Sequence, residues 1–406
     1  MVRFLGLCAV LAPTLQAQEP QTGAPSEEPG SYWTQDGLTG GWGGLRERWS
    51  AAGIVPGGGL VADWSAPWSG DASHHGTERM LLDLNLLLES KLLGFEGGSL
   101  YLDANLIEGR DGNRHLGSLL GVSSVDAPER RQISELWYEQ FLLDHHLRCK
   151  FGKIDALSEF GFSELAGTFA ETSASWSPTL LAQPTYPDSA TGALLFVYPD
   201  DHWYGGFGIF DGATQDGFTT GTRGPSTFFS DSKSASWYST GEVGCRFHPC
   251  ECFGEGRIAA GFFHHTGRFD RFDGGTEHGT TGVFLIAEQQ LWREADEEQG
   301  MAVSVRFGVA DEDVAAVHQH VAIGLTYVGA IPGRDADTLG VLWNLGRTSR
   351  ANGSTFTRDE QQFGVFYRAQ LTPFCALQPD LQYFVAPGGG GQRDAFLGLL
   401  RLELTF

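Results

Sequence analysis

Over much of this chain, apolar and polar residues alternate one for one in runs of about ten residues, the length of a strand that crosses a bilayer. The clearest run is 395–406. Phe396, Gly398, Leu400, Leu402, Leu404 and Phe406 share one parity, while Leu397, Leu399, Arg401, Glu403 and Thr405 share the other. A strand puts these sets on opposite faces; a helix would scatter Arg401 and Glu403 among the leucines. Met80, Leu82, Leu84, Leu86 and Leu88 likewise oppose Arg79, Asp83, Asn85 and Glu89. Leu100, Leu102, Ala104 and Leu106 oppose Tyr101, Asp103 and Asn105, and Val303, Val305, Phe307 and Val309 oppose Ser304, Arg306 and Gly308. An ordinary sandwich strand packed on a core has the same local pattern, so one run does not choose between the two.

The number of runs and the breaks between them do. Strand-like segments are predicted at 54–68, 78–91, 97–108, 132–143, 147–155, 190–199, 202–211, 235–248, 256–266, 279–292, 301–311, 317–328, 337–348, 358–371, 377–386 and 395–406, sixteen in all. Short breaks (144–146, 200–201, 373–376) contrast with long ones (109–131, 156–189, 212–234). Short turns on one side and long loops on the other are the asymmetry of an outer-membrane barrel, and an even count leaves no edge strand open in lipid. The expected fold is therefore all-β: a transmembrane 16-stranded antiparallel β-barrel spanning 54–406. Before it, Trp42, Leu45 and Trp49 recur at helical spacing and Gly53 is a natural stop, which predicts a short helical segment over 37–53. Residues 18–36, rich in Pro, Gly, Gln and Glu, read as a disordered linker. Residues 1–17 read as a secretory signal, with Arg3 as its charge and a plausible cleavage site at Leu15-Gln16-Ala17.

Composition sharpens this reading. Hydrophobic residues make up only 41% of 406, with 56 glycines and 12% aromatics. That suits an apolar outer surface around a polar interior. Asp and Glu (50) outnumber Lys and Arg (27), a formal charge of −23 that argues against a nucleic-acid partner. Five cysteines follow the signal. The C-x4-C-x-C spacing of Cys245, Cys250 and Cys252 beside His248 matches no common zinc site, so no metal or other cofactor is expected. A disulfide among these three, or from them to Cys375, is an open expectation for an oxidising compartment.

The motifs add a resemblance. Leu38-Thr-Gly-Gly-Trp-Gly-Gly-Leu45 resembles the N-terminal LTGDWGG-LR segment of the OprB-type carbohydrate-selective porins, with Gly41 where the family usually carries Asp. Phe151-Gly-Lys-Ile-Asp155, Ser177-Pro-Thr-Leu180, Gln183-Pro-Thr-Tyr-Pro187, Asp201-His-Trp-Tyr204 and Gly208-Ile-Phe-Asp-Gly212 follow in order. So do Gly329-Ala-Ile-Pro-Gly-Arg-Asp335, Gln378-Pro-Asp-Leu-Gln-Tyr-Phe384 and Leu400-Arg-Leu-Glu-Leu404. The resemblance runs from about residue 37 to 406. It implies a sixteen-stranded porin passing sugars such as glucose by passive diffusion into the periplasm, with no catalytic residue and no cofactor.

A pore for a neutral sugar needs hydrogen-bonding groups for its hydroxyls and aromatic faces for its C–H surface, held weakly enough to release it. If Leu136, Tyr138 and Leu142 face lipid, Glu135, Trp137 and Glu139 face inward. Arg148 and Lys150 join them from the next strand, and Asp103 and Asn105 from the preceding one. Lys153 and Asp155 stand where the strand enters the longest loop, 156–189, which carries Trp176 and Tyr186 and is the expected constriction. These nine residues are the expected solute path, and Trp137 the expected stacking face. The expected partners are carbohydrate solutes, outer-membrane lipid, the barrel-assembly machinery acting on the C-terminal strand, and further copies in a homotrimer. A general diffusion porin and a soluble secreted β-sandwich binding module are the competing readings. A barrel enzyme built on Asp144, His145 and His146, or on His264 and His265, lacks any nucleophile motif.

Overall fold

The computed structural model describes residues 32–224, 236–249, 253–294 and 299–406. The expected signal, most of the expected linker, and Cys250 and Cys252 lie outside the described residues.

Among the described residues, sixteen strands close into one antiparallel barrel, each pairing with its neighbours in chain order. They are β1 (Ile54–Pro67), β2 (Thr77–Glu89), β3 (Gly98–Gly109), β4 (Arg130–Leu142), β5 (Leu147–Ile154), β6 (Ala190–Val197), β7 (Trp203–Asp211) and β8 (Trp237–Phe247). The second half comprises β9 (Gly256–Asp270), β10 (Thr276–Arg293), β11 (Gly300–Ala310), β12 (Val317–Val328), β13 (Thr338–Thr348), β14 (Glu360–Thr372), β15 (Cys375–Val385) and β16 (Ala395–Thr405). Each predicted segment contains or overlaps one strand, because the period-two pattern that marks a strand is local. The seam is β1 on β16, from Gly59 opposite Thr405 to Pro67 opposite Leu397. Inside this seam Asp63 takes two hydrogen bonds from Arg401, both at 2.9 Å.

Ahead of the barrel, the helix α1 (Leu45–Ala52) is shorter than the expected 37–53. Gly40, Gly43 and Gly44 adopt positive φ and hold turns instead. Trp42 lies outside the helix and packs edge-on against Trp49 at 5.9 Å. Gly53 ends the helix as expected, at φ 93. The segment docks on the rim at the seam. The Leu38 amide donates to Thr405 O at 2.8 Å, and Arg46 Nη2 donates to Phe406 O at 2.6 Å.

The outward rows are apolar, with Leu84, Leu136, Phe151, Phe207, Val243, Phe262, Leu285, Val341 and Val365 exposed. The inward rows are not uniformly polar, which departs from the composition-based expectation. Phe196, Phe210, Tyr238, Phe263 and Phe284, on β6 to β10, face inward and are buried. The four phenylalanine rings lie over inward glycines of the neighbouring strand. Gly261 pairs with Phe284 and Gly282 with Phe263; a β-carbon would come within 2.1 Å and 2.2 Å of those rings. The glycines are there to let the rings lie down on the wall.

Cys149, Cys245 and Cys375 are free thiols. The bond from Cys245 to Cys375 left open by the sequence is not made, since β8 and β15 stand far apart around the wall.

Two outcomes test this architecture. Gly261→Leu should lower stability by about 1–3 kcal/mol through overpacking against Phe284, seen as an earlier urea midpoint for loss of the heat-modifiable band. Deleting Phe406 removes the Arg46 contact and the Phe406 amide bond to Gly58 O (3.0 Å), and should reduce folded protein in the outer-membrane fraction. Unchanged folded yield would contradict a role for this residue in assembly.

Candidate functional site

The lumen is furnished by two long loops that turn inward. The loop 155–189 meets the inner wall from β8 round to β15. Arg306 Nη1 donates to Gly161 O at 2.5 Å, Ser177 Oγ and His320 Nδ1 lie 3.0 Å apart, and Gln378 Nε2 donates to Thr168 O at 3.2 Å. Phe160 and Leu180 of this loop cover the aromatic part of the wall on β6 to β10, which keeps those rings from the lumen water. The loop 110–129 lies against the other side. Gln362 and Gln382 donate to the carbonyls of Gly121 and Val122, both at 3.1 Å, and Ser123 Oγ donates to Asp63 at 2.6 Å. The loops also meet each other, with Thr172 Oγ1 donating to Ser123 O at 2.9 Å.

Charge fixes where the longer loop begins. Glu139 stands opposite Lys150 across β4 and β5, and Phe141 opposite Arg148, so all four side chains face inward. Arg148 Nε contacts Glu139 at 2.5 Å. Its two terminal nitrogens grip Glu159 of the loop at 2.8 Å and 2.9 Å, and Lys150 Nζ contacts Glu159 at 2.5 Å. Burial alone would raise the Glu159 carboxyl, but Arg148 and Lys150 outweigh it and hold it at about 2. A second clasp sits further round: Arg257 contacts Glu288 at 2.9 Å and Glu164 at 3.2 Å, and Arg246 contacts Glu164 at 2.6 Å.

The nine expected path residues divide into groups. Asp103, Asn105 and Glu135 belong to an inward, acceptor-rich patch. Asn85, Asp103 and Glu135 face one another straight across β2, β3 and β4, and Asp83 faces Asn105 beside them. Ser134 Oγ donates to Asp103. Trp137 Nε1 and the Asp155 amide donate to Glu135 at 3.1 Å and 3.0 Å. Among the described residues, the hydrogen bonds to Asp103 and Glu135 come from neutral donors, with Lys150 acting on Glu135 through space. Glu139, Arg148 and Lys150 are inward as expected, but they clasp the loop.

Two expectations need correction. Trp137 is no open stacking face. Tyr101 stacks on it from the β3 side at 4.8 Å, and Lys150 Nζ stands 3.7 Å from its ring centroid on the β5 side, leaving 5% of the residue exposed. Lys153, expected on the solute path at the loop entrance, is turned off the inward row. It pairs with the outward Leu136, and its ammonium donates to Ile133 O (2.6 Å) and Gly221 O (2.5 Å). Asp155 joins the two ends of the loop, accepting from the amides of Leu157 (2.8 Å) and Tyr186 (3.1 Å).

A family model described as "Carbohydrate-selective porin, OprB family" matches residues 74–406. The chain belongs to the OprB family. Porin B of Pseudomonas aeruginosa is 22% identical to this porin over 448 residues, covering 94% of this chain and 93% of that protein. A high-pH structure of Pseudomonas putida OprB matches with a TM-score of 0.83 at 18% identity, covering 93% of this chain and 100% of the other. A low-pH structure of the same protein matches at 0.61, with 16% identity and 92% and 99% coverage. At these identities the structural likeness speaks for the barrel alone; the family match makes this chain a carbohydrate porin, a channel by class.

Sequence reasoning missed several residues that shape the interior of this OprB-family porin. Asp83 and Tyr101 were within reach, since both sit on inward parities next to residues that were chosen. Glu159, Glu164 and Ser177 were not, because a loop has no periodicity to reveal which wall it meets. Glu159→Gln should weaken the loop's anchorage by about 3 kcal/mol, the lower end for breaking a buried ion pair. The readout is faster amide exchange over 157–165 with β-strand amides unchanged. The held-down Glu159 carboxyl stabilises the wild-type loop above the ordinary glutamate range, and this contribution is lost as pH falls through about 2. The loop should therefore keep its protection at pH 4, and the Glu159→Gln substitution should abolish any acid-dependent loss below that.

Proposed function

We propose that this porin passes neutral monosaccharides such as glucose across the outer membrane of a Gram-negative bacterium, along the acceptor-rich patch on β2 to β4. The observation that carries the reading is the row Asn85–Asp103–Glu135 with Asp83 and Asn105 beside it. A sugar offers many O–H donors, and carboxylates served so far by neutral donors can accept from them. The cations of the lumen serve a different purpose here, since Arg148 and Lys150 are engaged with Glu139 and Glu159. Trp137 supports the patch by donating to Glu135. Lys153 and Asp155 act on the loop that borders the path.

The apolar outer rows suit lipid, the leucine row of β16 ending at Phe406 suits recognition by the barrel-assembly machinery, and a homotrimer is the expected assembly. A general diffusion pore is the competing reading. It shares the fold but predicts flux by solute size alone.

Glucose should block single-channel current of the wild type in planar bilayers. Glu135→Gln and Asp103→Asn, with the barrel still heat-modifiable, should raise the half-blocking concentration up to about tenfold, the weight of one buried hydrogen bond. If glucose never alters the wild-type current, and liposome swelling ranks sugars and amino acids by size, the selective reading fails.

A further inference from the structure

The tip of the loop 155–189 brings two carboxyl groups near each other with no well-formed hydrogen bond to either. Glu171, on the loop, is wholly buried, and Asp380, on β15, is 1% exposed. No donor among the described residues makes a well-formed hydrogen bond to any of their four carboxyl oxygens. The Glu171 carboxyl lies in a notch of the wall made by Gly364 on β14, where a β-carbon would stand 1.8 Å from Glu171 Oε1. Gly364 faces Gln382 across β14 and β15, and Asp380 is the next inward residue along β15. The neutral neighbour Gln382 is shared: its amide donates to Val122 O at 3.1 Å and also reaches toward Asp380, and its oxygen accepts from Gln362 at 3.2 Å.

The charged groups that face this pair are Arg401 on β16 and Asp63 on β1. Arg401 is gripped by both oxygens of Asp63 at 2.9 Å and donates further to Ser123 (3.1 Å) and Ser124 (3.2 Å). Its hydrogen bonds go to Asp63 and the two serines, and it reaches the Glu171–Asp380 pair only through space. Burial first, and then the facing Asp380, push the Glu171 carboxyl well above the usual carboxylate range, with Arg401 acting weakly the other way. Two carboxylates side by side in a dry site cannot both ionise, whereas one acid and one carboxylate make a strong hydrogen bond.

We infer that Glu171 and Asp380 share one proton, that this proton latches the loop tip to the lumen wall, and that its loss releases the tip. The latch sits among weaker attachments: Gln378 to Thr168 O (3.2 Å), the Ser124 amide to Ala170 O (2.8 Å), and Phe169 edge-on to Phe366 (5.1 Å). The clasps at Glu159 and Glu164 lie elsewhere on the loop, so release frees the tip and leaves the rest in place. The sign follows from the raised carboxyl. Attachment is complete in acid, and it weakens as pH rises above the ordinary carboxylate range and through the titration of the pair. The inference concerns the loop and holds whichever solute the pore prefers.

The test is single-channel conductance in potassium chloride without sugar, from about pH 5 to about pH 9, a range that leaves ordinary lysine and arginine charges unchanged. Amide exchange over 168–173 is followed in parallel. Wild-type conductance should step upward with pH. At each pH, exchange is compared with Glu171→Gln, and the ratio should grow about tenfold per pH unit through the step. Glu171→Gln and Asp380→Asn each supply a permanent N–H donor in place of the proton, so both should hold the acid-level conductance throughout. A wild-type conductance flat with pH overturns the latch, and so does a step of wild-type size in both variants. A step that shifts with added calcium or with chelator at constant pH overturns it too, because a metal ion would then join the carboxylates. None of these outcomes bears on glucose block, so failure here and failure of the sugar reading are distinguishable.

Discussion

A strand that crosses lipid leaves no backbone N–H or C=O without a partner, because hydrocarbon supplies none. Everything in this molecule follows from meeting that requirement by closure. β1 must find β16, residues more than three hundred apart in the chain, and the ladder between them runs without interruption from Gly59 to Pro67. The seam is reinforced from within by Asp63 and Arg401 and from the rim by the segment that places Arg46 on Phe406. Both reinforcements join the ends of the barrel to each other, where the entropy of closure is greatest.

Closure creates an interior that must then be furnished. Two solutions coexist around one wall. On β6 to β10 the inner face is aromatic and glycine-rich, and the loop 155–189 packs on it as if on a core. On β4–β5 and β9–β11 the contact is ionic, with Arg148, Lys150 and Arg257 gripping carboxylates. Such buried pairs are a modest source of net stability, because desolvation offsets much of their attraction. Their effect is geometric: a carboxylate gripped by two cations admits few alternative positions for the loop that carries it. Position matters in a channel, since the loop borders the path proposed along β2 to β4.

The proposed path takes its polarity from carboxyl groups on β2 to β4. Its carboxylates are attended by a hydroxyl, an indole N–H and a backbone amide, while the nearby cations face the loop clasp. An acceptor surface held by neutral donors can exchange partners with a passing hydroxyl at small cost, as a channel needs. Membership of the OprB family agrees with such a surface, and the physical argument for sugars rests on these groups rather than on the barrel, which is common to pores of many kinds.

The sixteen strands, the alternation of short turns and long loops, and the inward rows of Asp103, Glu135, Arg148 and Lys150 were legible in the chain because side-chain alternation is a local property of an extended backbone. The same alternation, followed one step past Gly152, sets Lys153 on the outward row with Leu136, away from the solute path on which its place at the loop entrance would put it. The N-terminal helix is shorter than its spacing predicts, because Gly40, Gly43 and Gly44 adopt positive φ and hold turns. Only the tertiary structure decided the rest. Nothing in the sequence around Glu159 or Glu171 tells which wall each will meet, since their partners Arg148 and Asp380 are chosen by the path of a loop without periodicity. Nor could the sequence show that Tyr101 and Lys150 close both faces of Trp137, or that Phe263 and Phe284 lie across each other's glycines. Alternation fixes the face a side chain takes; what it touches there depends on strands and loops brought together by closure, and on which of them arrive without a hydrogen-bond donor to share.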